Sequence, residues 1–218
     1  MKITDNIYWY PETGMLDCNT YLLVDEITIL IDPGNSSYMD HLLNGLENDG
    51  FKPSDIDLIA ITHLHIDHCS ANEDLKEISG AKIAIHEIQG ANRNIFDEVS
   101  RFFGLNSPDF TDDILLSDTL NTGSRDIEMI LTPGHSPESI CFYDPVEKAL
   151  VSGDVIFDRS VGRTDLPHGS GMELKKSITR LSVLDVEYLL PGHMWVVKGK
   201  DSVKKNFEFV RDFYFRFI

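Results

Sequence analysis

The segment from His63 to His68 concentrates side chains that bind metal ions. Four such side chains, His63, His65, Asp67 and His68, follow one another in the pattern H-x-H-x-D-H. Imidazole and carboxylate donors without thiolate suit zinc, manganese or iron, whereas closed structural zinc sites are usually built on cysteine. The pattern therefore predicts a metal centre that does chemistry rather than one that only stabilises the fold.

Three further donors occur at equivalent positions later in the chain. His135, Asp154 and His193 each follow an apolar run and come directly after a glycine. The histidine segment itself follows the apolar run 57–62, which reads as a short buried strand. Ligand sites collect where the chain leaves a sheet edge, and glycine lets the backbone turn sharply there. We therefore expect all seven donors to converge at one edge.

Strands and helices alternate along the rest of the chain, which predicts a layered α/β fold. We expect a helix through Leu42 and Leu46 that is capped by Ser36 or Ser37 and ends at Gly50. Further helices are predicted over 72–78, 88–103, 172–184 and from 202 to the C-terminus. Strands are predicted over 7–10, 20–24, 27–31, 82–85, 127–131, 140–143, 149–152 and 187–190.

Length and charge limit the classes of function. The chain has 218 residues, of which 42% are hydrophobic, so we expect a single globular domain over 1–218. Its formal net charge of −17 without a basic cluster argues against nucleic acid as a partner. No basic N-terminal region precedes an apolar stretch, and no apolar run approaches the ~20 residues that span a bilayer, so we expect a cytoplasmic protein that does not enter membranes.

The donors appear in the order that is typical of the metallo-β-lactamase superfamily, and the chain resembles that family at these residues. The resemblance extends from Asn19-Thr20-Tyr21-Leu22-Leu23-Val24 to Pro191-Gly192-His193. It implies an αβ/βα sandwich, in which two mixed β-sheets pack face to face with helices outside and metal ions at one edge. The predicted order of strands and helices permits this fold.

Within the superfamily, the segments 152–157 and 161–167 are similar to those of glyoxalase II-like enzymes, particularly the short ones. That resemblance implies hydrolysis of thioesters of the hydroxyacylglutathione type. It also implies two bound divalent ions, with zinc as the expected metal and iron or manganese as the alternatives. It assigns a ligand triplet to each ion, a bridge between them, and an acid, Asp32, that orients a ligand histidine. The first triplet is His63, His65 and His135, the second is Asp67, His68 and His193, and the bridge is Asp154.

The donor set also predicts how the reaction starts. Two divalent ions ~3.5–4 Å apart can lower the pKa of a shared water to ~7. The expected nucleophile is therefore a metal-bridging hydroxide, with Asp154 as the bridge and Asp67 as a group that orients the attack. The sequence has no G-x-S-x-G segment that would offer a serine nucleophile instead.

Substrate contacts are less sharply marked than the metal ligands. Arg163 matches a basic position that can hold a substrate carboxylate. A structural salt bridge between Arg163 and Asp165 or Asp158 is an equally good interpretation. We also assign His168 to substrate binding, because its loop should overhang the site. Glu138 stands where these enzymes commonly have a glycine, and its side chain could narrow or recharge the pocket mouth.

The thiol carrier of the substrate and the role of the last helix stay open. The chain ends soon after His193, without the longer helical region that supplies glutathione contacts in the larger enzymes, so the thiol carrier of the expected small-molecule thioester is open. The apolar positions of the last helix pack on the body or form a homodimer contact. Three cysteines without C-x-x-C spacing do not indicate a disulfide framework.

Two alternative functions remain. The first is a persulfide dioxygenase with one iron bound by His63, His135 and Asp154, a set of two histidines and one carboxylate that suits oxygen chemistry. The second is a non-enzymatic di-metal or electron-transfer module. Such modules usually place an acid at the position of His65, so the histidine counts against this alternative.

Overall fold

Two six-stranded sheets form the centre of the molecule in the computed structural model, which describes residues 1–107 and 110–218. The strands of the first sheet lie in the same order in space and in sequence. The first three pair antiparallel and the later ones parallel. These strands are β1 (Ile7–Tyr10), β2 (Thr20–Leu23), β3 (Ile29–Ile31), β4 (Leu58–Ala60), β5 (Lys82–His86) and β6 (Ile114–Leu116).

The second sheet is also mixed. Its strands are β7 (Thr119–Asn121), β8 (Asp126–Leu131), β9 (Ile140–Asp144), β10 (Ala149–Gly153), β13 (Tyr188–Pro191) and β14 (Val197–Lys198). In space they lie in the order β14-β13-β10-β9-β8-β7, and only the pair β10 and β13 is parallel. A separate two-stranded hairpin, β11 (Ile156–Phe157) with β12 (Ser160–Val161), lies between β10 and β13 in the sequence.

Seven α-helices accompany these strands in the described part of the chain. They are α1 (Met39–Asn48), α2 (Ile66–Cys69), α3 (Asn72–Ser79), α4 (Glu87–Ala91), α5 (Asn94–Phe102), α6 (Gly171–Leu181) and α7 (Lys200–Phe213). Short 3₁₀ turns cover Ser36–Tyr38, Pro53–Asp55 and Tyr214–Arg216.

Three apolar clusters hold the layers together. Residues from both sheets, such as Ile29 and Phe142, form the central cluster. A second cluster packs Leu42 of α1 and Leu75 of α3 against the outer face of the first sheet. A third buries α6 and α7 against the second sheet. This order of helix, sheet, sheet and helix is the αβ/βα sandwich that the sequence predicts, and that prediction is confirmed.

Several boundaries differ from the sequence prediction. A single helix over 88–103 is wrong, because Asn92 leaves the helical conformation and its side chain donates to the Ile88 carbonyl at 2.7 Å, which separates α4 from α5. The predicted serine cap of α1 is also wrong, since Tyr38 precedes this helix without a side-chain cap. Oδ1 of Asn35 instead caps the preceding 3₁₀ turn, where it accepts from the Ser37 amide at 2.9 Å. The sixth helix ends at Leu181 rather than 184. No helix among 1–107 and 110–218 has the length and apolar character needed to cross a membrane.

Candidate metal centre

The seven donors predicted from the sequence meet where strands end. His63 follows β4 of the first sheet, while His135, Asp154 and His193 follow β8, β10 and β13. These last three strands run in the same direction, because each neighbour of β9 is antiparallel to it and β13 is parallel to β10. Their carboxyl ends therefore lie at one edge of the second sheet. The carbonyl of Thr62 accepts from the Ile140 amide at 2.9 Å and ties the exit of β4 to β9.

His65, Asp67 and His68 occupy a compact segment that is neither strand nor open loop. His65 is extended and directly precedes the one-turn helix α2, which contains Asp67 and His68. Hydrogen bonds close this helix onto His65, because the backbone amides of His68 and Cys69 both donate to the His65 carbonyl. The turn therefore brings donors from both ends of a six-residue motif to one centre, and the sequence did not predict this helix.

Glycines leave space for the close approach of these segments. A Cβ atom at Gly192 would overlap Oδ1 of Asp154, and a Cβ at Gly162 would overlap the Asp154 carbonyl oxygen. The backbone of Gly153 has φ +47°, a left-handed value that suits glycine. Side chains at Gly192 and Gly162 would displace the aspartate that lies at the middle of the site.

His63, His65 and His135 form one donor set. One nitrogen of each lies within 4.8 Å of the other two, and Nδ1 of His65 is 2.7 Å from Nε2 of His135. All three rings are buried, and Nε2 of His63 has no hydrogen-bond partner in the described chain. Burial, followed by the neighbouring histidines, lowers the pKa of His63 well below its usual value and that of His65 to about 3. Neutral imidazoles with free lone pairs are the form that binds a metal ion.

Asp67, His68 and His193 form the second donor set, again within 4.8 Å of one another. Nε2 of His193 is 3.3 Å from Oδ2 of Asp67, and Nε2 of His68 is 4.0 Å from the same oxygen. Burial disfavours the Asp67 carboxylate, but His68 and His193 outweigh burial and lower its pKa. This second set contains an anionic ligand, which the first set lacks.

Asp154 lies between the two sets. Its Oδ2 is 3.4 Å from Nε2 of both His135 and His193, so one carboxylate faces a member of each set. Its Oδ1 is 3.3 Å from Nε2 of His68, yet neither atom forms a hydrogen bond among the residues described. Burial opposes ionisation of Asp154, but the surrounding histidines prevail and hold its pKa well below the usual value. Buried donors that face each other without a bond fit a cation between them.

Neighbouring acceptors fix the orientation of the ligand rings. Nδ1 of His68 faces Oδ2 of Asp32 at 2.9 Å, and Nδ1 of His135 faces the Arg163 carbonyl at 2.7 Å. Because a carboxylate or carbonyl oxygen only accepts, each Nδ1 donates and leaves Nε2 directed at the centre. Asp32 also accepts from the amide and hydroxyl of Thr62, at 2.7 and 2.8 Å. It lies where the sequence prediction places an orienting acid, and its backbone has the strained φ of +55°.

Two residues to which the sequence analysis gave no role support the last ligand. Oε2 of Glu12 is 2.8 Å from Nδ1 of His193, and the Asn19 side chain donates to the carbonyls of Pro191 and Met194 at 3.0 and 2.8 Å. Asn19 is held in turn by the Trp9 indole, which donates to it at 2.9 Å. Asn19 begins a segment of the family resemblance, whereas Glu12 belongs to no local motif, and the contacts of both with the His193 loop join segments that are far apart in the sequence.

A cavity of about 320 Å³ opens onto the donors. Five donors line it, together with Arg163 and eight apolar side chains. The donors in its wall are His65, Asp67, His135, Asp154 and His193.

Arg163 and His168 have different positions relative to this cavity. Arg163 lies in the wall and donates twice, through Nε and Nη2, to the carboxylate of Asp165, both at 2.9 Å. His168 is absent from the described cavity wall, and its Nε2 faces Oε2 of Glu98 on α5 at 2.6 Å. Its assignment to substrate binding, like that of Arg163, stays a prediction.

The expectation that Glu138 acts at the pocket mouth is wrong. The Glu138 side chain is fully buried, and its Oε1 accepts from the Leu64 amide at 3.0 Å, between two ligand histidines. Its Oε2 has no partner in the described chain, and burial raises the pKa of this carboxyl. Glu138 therefore holds the backbone of the histidine segment in place through its hydrogen bond with Leu64.

Comparison with known proteins identifies the family. The family model of the metallo-beta-lactamase superfamily matches residues 13–193. The chain is 39% identical to the probable metallo-hydrolase MJ0888 of Methanocaldococcus jannaschii over 184 residues, which cover 80% of this chain and 86% of that protein. The chain belongs to the metallo-beta-lactamase superfamily.

Solved structures agree with this assignment. The BLEG-1 B3 metallo-beta-lactamase superposes with a TM-score of 0.76 at 26% identity, over 94% of this chain and 96% of that one. TTHA1623, solved in a di-iron-bound form, superposes with a TM-score of 0.73 at 31% identity, over 88% and 94% of the two chains. The family recognised from the sequence is thus confirmed, while the glyoxalase II-like subtype stays a prediction.

Proposed function

We propose that this protein is a binuclear metal-dependent hydrolase of thioesters. The observation that carries the proposal is the position of Asp154, whose Oδ2 lies 3.4 Å from a histidine of each donor set. A carboxylate that faces two sets of three donors is suited to join two ions. The resemblance to a probable metallo-hydrolase over most of both chains supports the hydrolase class.

Bound divalent ions would supply an acidified water and polarise the substrate carbonyl. The protein's own residues would do the rest. His63, His65 and His135 would add no negative charge to the first ion, whereas Asp67 would lower the charge of the second. A carboxylate oxygen of Asp67 could accept a hydrogen bond and orient the attacking group. Asp32 and the Arg163 carbonyl keep the rings of His68 and His135 in place during turnover.

The cavity wall favours a thiolate as the leaving group. Among the described lining residues, every histidine and every carboxylate is a metal donor, and the remaining charged group is Arg163. No lining residue described is a lysine, tyrosine or cysteine that could protonate a departing alkoxide or amine. A thiol has a pKa near ~8.5 and departs as thiolate without such help. Thioesters therefore fit this site better than esters or amides do.

The segments that resemble glyoxalase II-like enzymes support the same class of substrate. Asp154 itself lies in 152–157, and Arg163 lies in 161–167. A hydroxyacylglutathione is the specific substrate that this resemblance implies. The carboxylates of the glutathione part would have to pair with Arg163, whose guanidinium already forms a salt bridge with Asp165.

The test combines metal analysis with three assays on protein purified without added metal. We expect about two zinc, iron or manganese ions per chain and hydrolysis of lactoylglutathione or a simple acyl thioester. The matching oxygen ester should react far more slowly. One iron per chain together with oxygen consumption in the presence of glutathione persulfide would indicate the dioxygenase instead. Bound metal without hydrolysis of any thioester would overturn the proposal and favour a non-enzymatic module.

A further inference from the structure

Apart from the metal donors and Arg163, the described lining of the cavity next to the donors is apolar. The eight apolar side chains come from four regions of the chain: the β1–β2 loop, α2 with α5, the hairpin with its following loop, and the loop after β13. They are Leu16, Ile66, Val99, Phe103, Phe157, Val161, Leu166 and Met194.

This apolar wall continues to the surface of the molecule. Leu16, Phe103 and Met194 are 37%, 39% and 45% exposed, and each lines the cavity. Contiguous apolar surface that is left open to water marks a binding site, whereas single exposed apolar residues do not. The three residues belong to separate segments of the chain and line the same cavity.

The backbone at two of these positions is strained. Leu16 has φ +58° and Met194 has φ +66°, which are left-handed values that a residue with a Cβ rarely adopts. Such strain is found where the surrounding structure holds a side chain in place for a function. Here it directs two large apolar side chains into the cavity wall.

This cavity offers few partners to a polar or charged thiol carrier. Among the described lining residues, Arg163 is the one arginine or lysine, and Asp165 holds it through two hydrogen bonds of 2.9 Å. The chain as a whole carries a formal net charge of −17. Anionic groups of a substrate would therefore meet few partners and an unfavourable field.

We propose that this cavity binds the acyl chain of the substrate, and that the preferred substrates are thioesters of apolar, unsubstituted acyl groups rather than of small hydroxyacyl groups. The inference rests on the proposed function. The volume of about 320 Å³ equals that of about ten waters at ~30 Å³ each, which accommodates a chain of several carbons. The carbonyl end of the chain then lies at the donors and the alkyl end reaches Phe103.

The first test is a series of N-acetylcysteamine thioesters from acetyl to octanoyl, with 2-hydroxyacyl counterparts. This carrier is small and uncharged, so only the acyl group varies. We expect kcat/KM to rise about fourfold for each added methylene until the cavity is filled. The hydroxyacyl thioesters should react more slowly than the unsubstituted ones of equal length. A flat or falling profile would overturn the proposal.

Adjacent phenylalanines provide a matched pair of variants. Phe103 lines the cavity, whereas Phe102 is 58% exposed and is not among the lining residues described. Phe103→Ser should flatten the dependence of kcat/KM on chain length for the longer thioesters. Phe102→Ser should leave the profile unchanged. Equal effects of the two substitutions would mean that the chain does not reach this wall.

A binding experiment separates this inference from the proposed function. S-octyl and S-ethyl thioethers of N-acetylcysteamine cannot be hydrolysed, and titration calorimetry reports their affinity for the protein with its metal ions bound. We expect the octyl compound to bind at least ~100-fold more tightly, with a negative heat-capacity change and with dependence on Phe103.

The two failures can be told apart. Tight binding of the octyl thioether without hydrolysis of any thioester would support the acyl site and contradict the proposed function. Thioester hydrolysis with equal binding of both thioethers would keep the proposed function and remove the acyl site.

Discussion

Oε2 of Glu12 lies 2.8 Å from Nδ1 of His193, and Oε1 of the same carboxylate accepts from the Met194 amide at 3.0 Å. One side chain thus fixes both the ring of a ligand and the backbone that follows it. Burial disfavours a charge on His193, but Asp154, Asp67 and Glu12 together outweigh burial and raise its pKa. Glu12 is therefore a positioning residue for the second donor set.

The first prediction concerns this contact. Glu12→Ala should lower the affinity of one of the two metal ions by ~10–100-fold, because acceptors behind a ligand histidine typically contribute that much. Glu12→Gln should restore part of it, since an amide oxygen still accepts but carries no charge. Competition with a chromophoric chelator measures both sites. Asp5→Ala, at an exposed acid near the same end of the chain, is the control, and equal affinities in all variants would remove the role of Glu12.

The second prediction tests the bridging aspartate. Asp154→Asn should lower turnover of an acyl thioester by ~10²–10³-fold, because a neutral amide bridges two cations poorly and leaves bound water less acidic. Asp158→Asn removes a neighbouring exposed carboxylate and should have little effect. Thermal melts of both variants check that the fold is intact. Wild-type turnover by Asp154→Asn with two metals bound would show that Asp154 is not the bridge.

The third prediction concerns the exposed pair Arg163 and Asp165, which competes with any substrate carboxylate. Asp165→Asn should free the guanidinium and lower KM for an acylglutathione a few-fold, since an exposed ion pair contributes up to ~1 kcal/mol. Arg163→Ala should raise that KM with little change in kcat, because a remote contact is shared by the ground and transition states. An uncharged thioester is the control. Loss of activity toward both substrates would mean that Arg163 only supports its loop.

The fourth prediction follows from the buried acid Glu138, whose pKa burial raises above 4.5. Between 4.5 and the raised value the folded state binds more protons than the unfolded state, so the free energy of unfolding falls as the pH rises through this window. Glu138→Gln removes this loss, which amounts to ~1.4 kcal/mol for every tenfold difference in proton affinity between the two states.

Urea unfolding of chelator-treated protein at several pH values measures this effect. Relative to wild type, Glu138→Gln should become more stable as the pH is raised from 4, and the difference should level off above the folded pKa. Glu128→Gln, at an exposed position of β8, serves as the control. A difference that does not change with pH would contradict the raised pKa of Glu138.

The sequence predicted the strands that carry the donors because β4, β10 and β13 are almost entirely buried, while β8 has buried positions at every second residue of its first half. β10 is buried at all five positions and ends directly before Asp154. Strands β6 and β7 are only three residues long, which is too short for a periodic pattern to mark them. The division between α4 and α5 depends on the Asn92 side chain, which helix propensity does not reveal.

Individual residues of the site differ in the same way. The seven donors were visible because they belong to short local patterns at strand exits. Glu12 was not, since its contact with His193 spans 181 residues and a lone glutamate in a loop carries no signal. The position of Glu138 was mistaken because a family position tells nothing about which way a new side chain turns. The cytoplasmic location, the single domain and a homodimer contact stay predictions.

The measurement that tests the central claim most directly is the metal stoichiometry of the wild-type protein under metal-replete conditions. Elemental analysis after removal of loosely bound ions should give close to two transition-metal ions per chain, because two sets of three donors flank Asp154. A value that stays near one ion per chain at every metal concentration would contradict the binuclear centre and the hydrolytic function that depends on it.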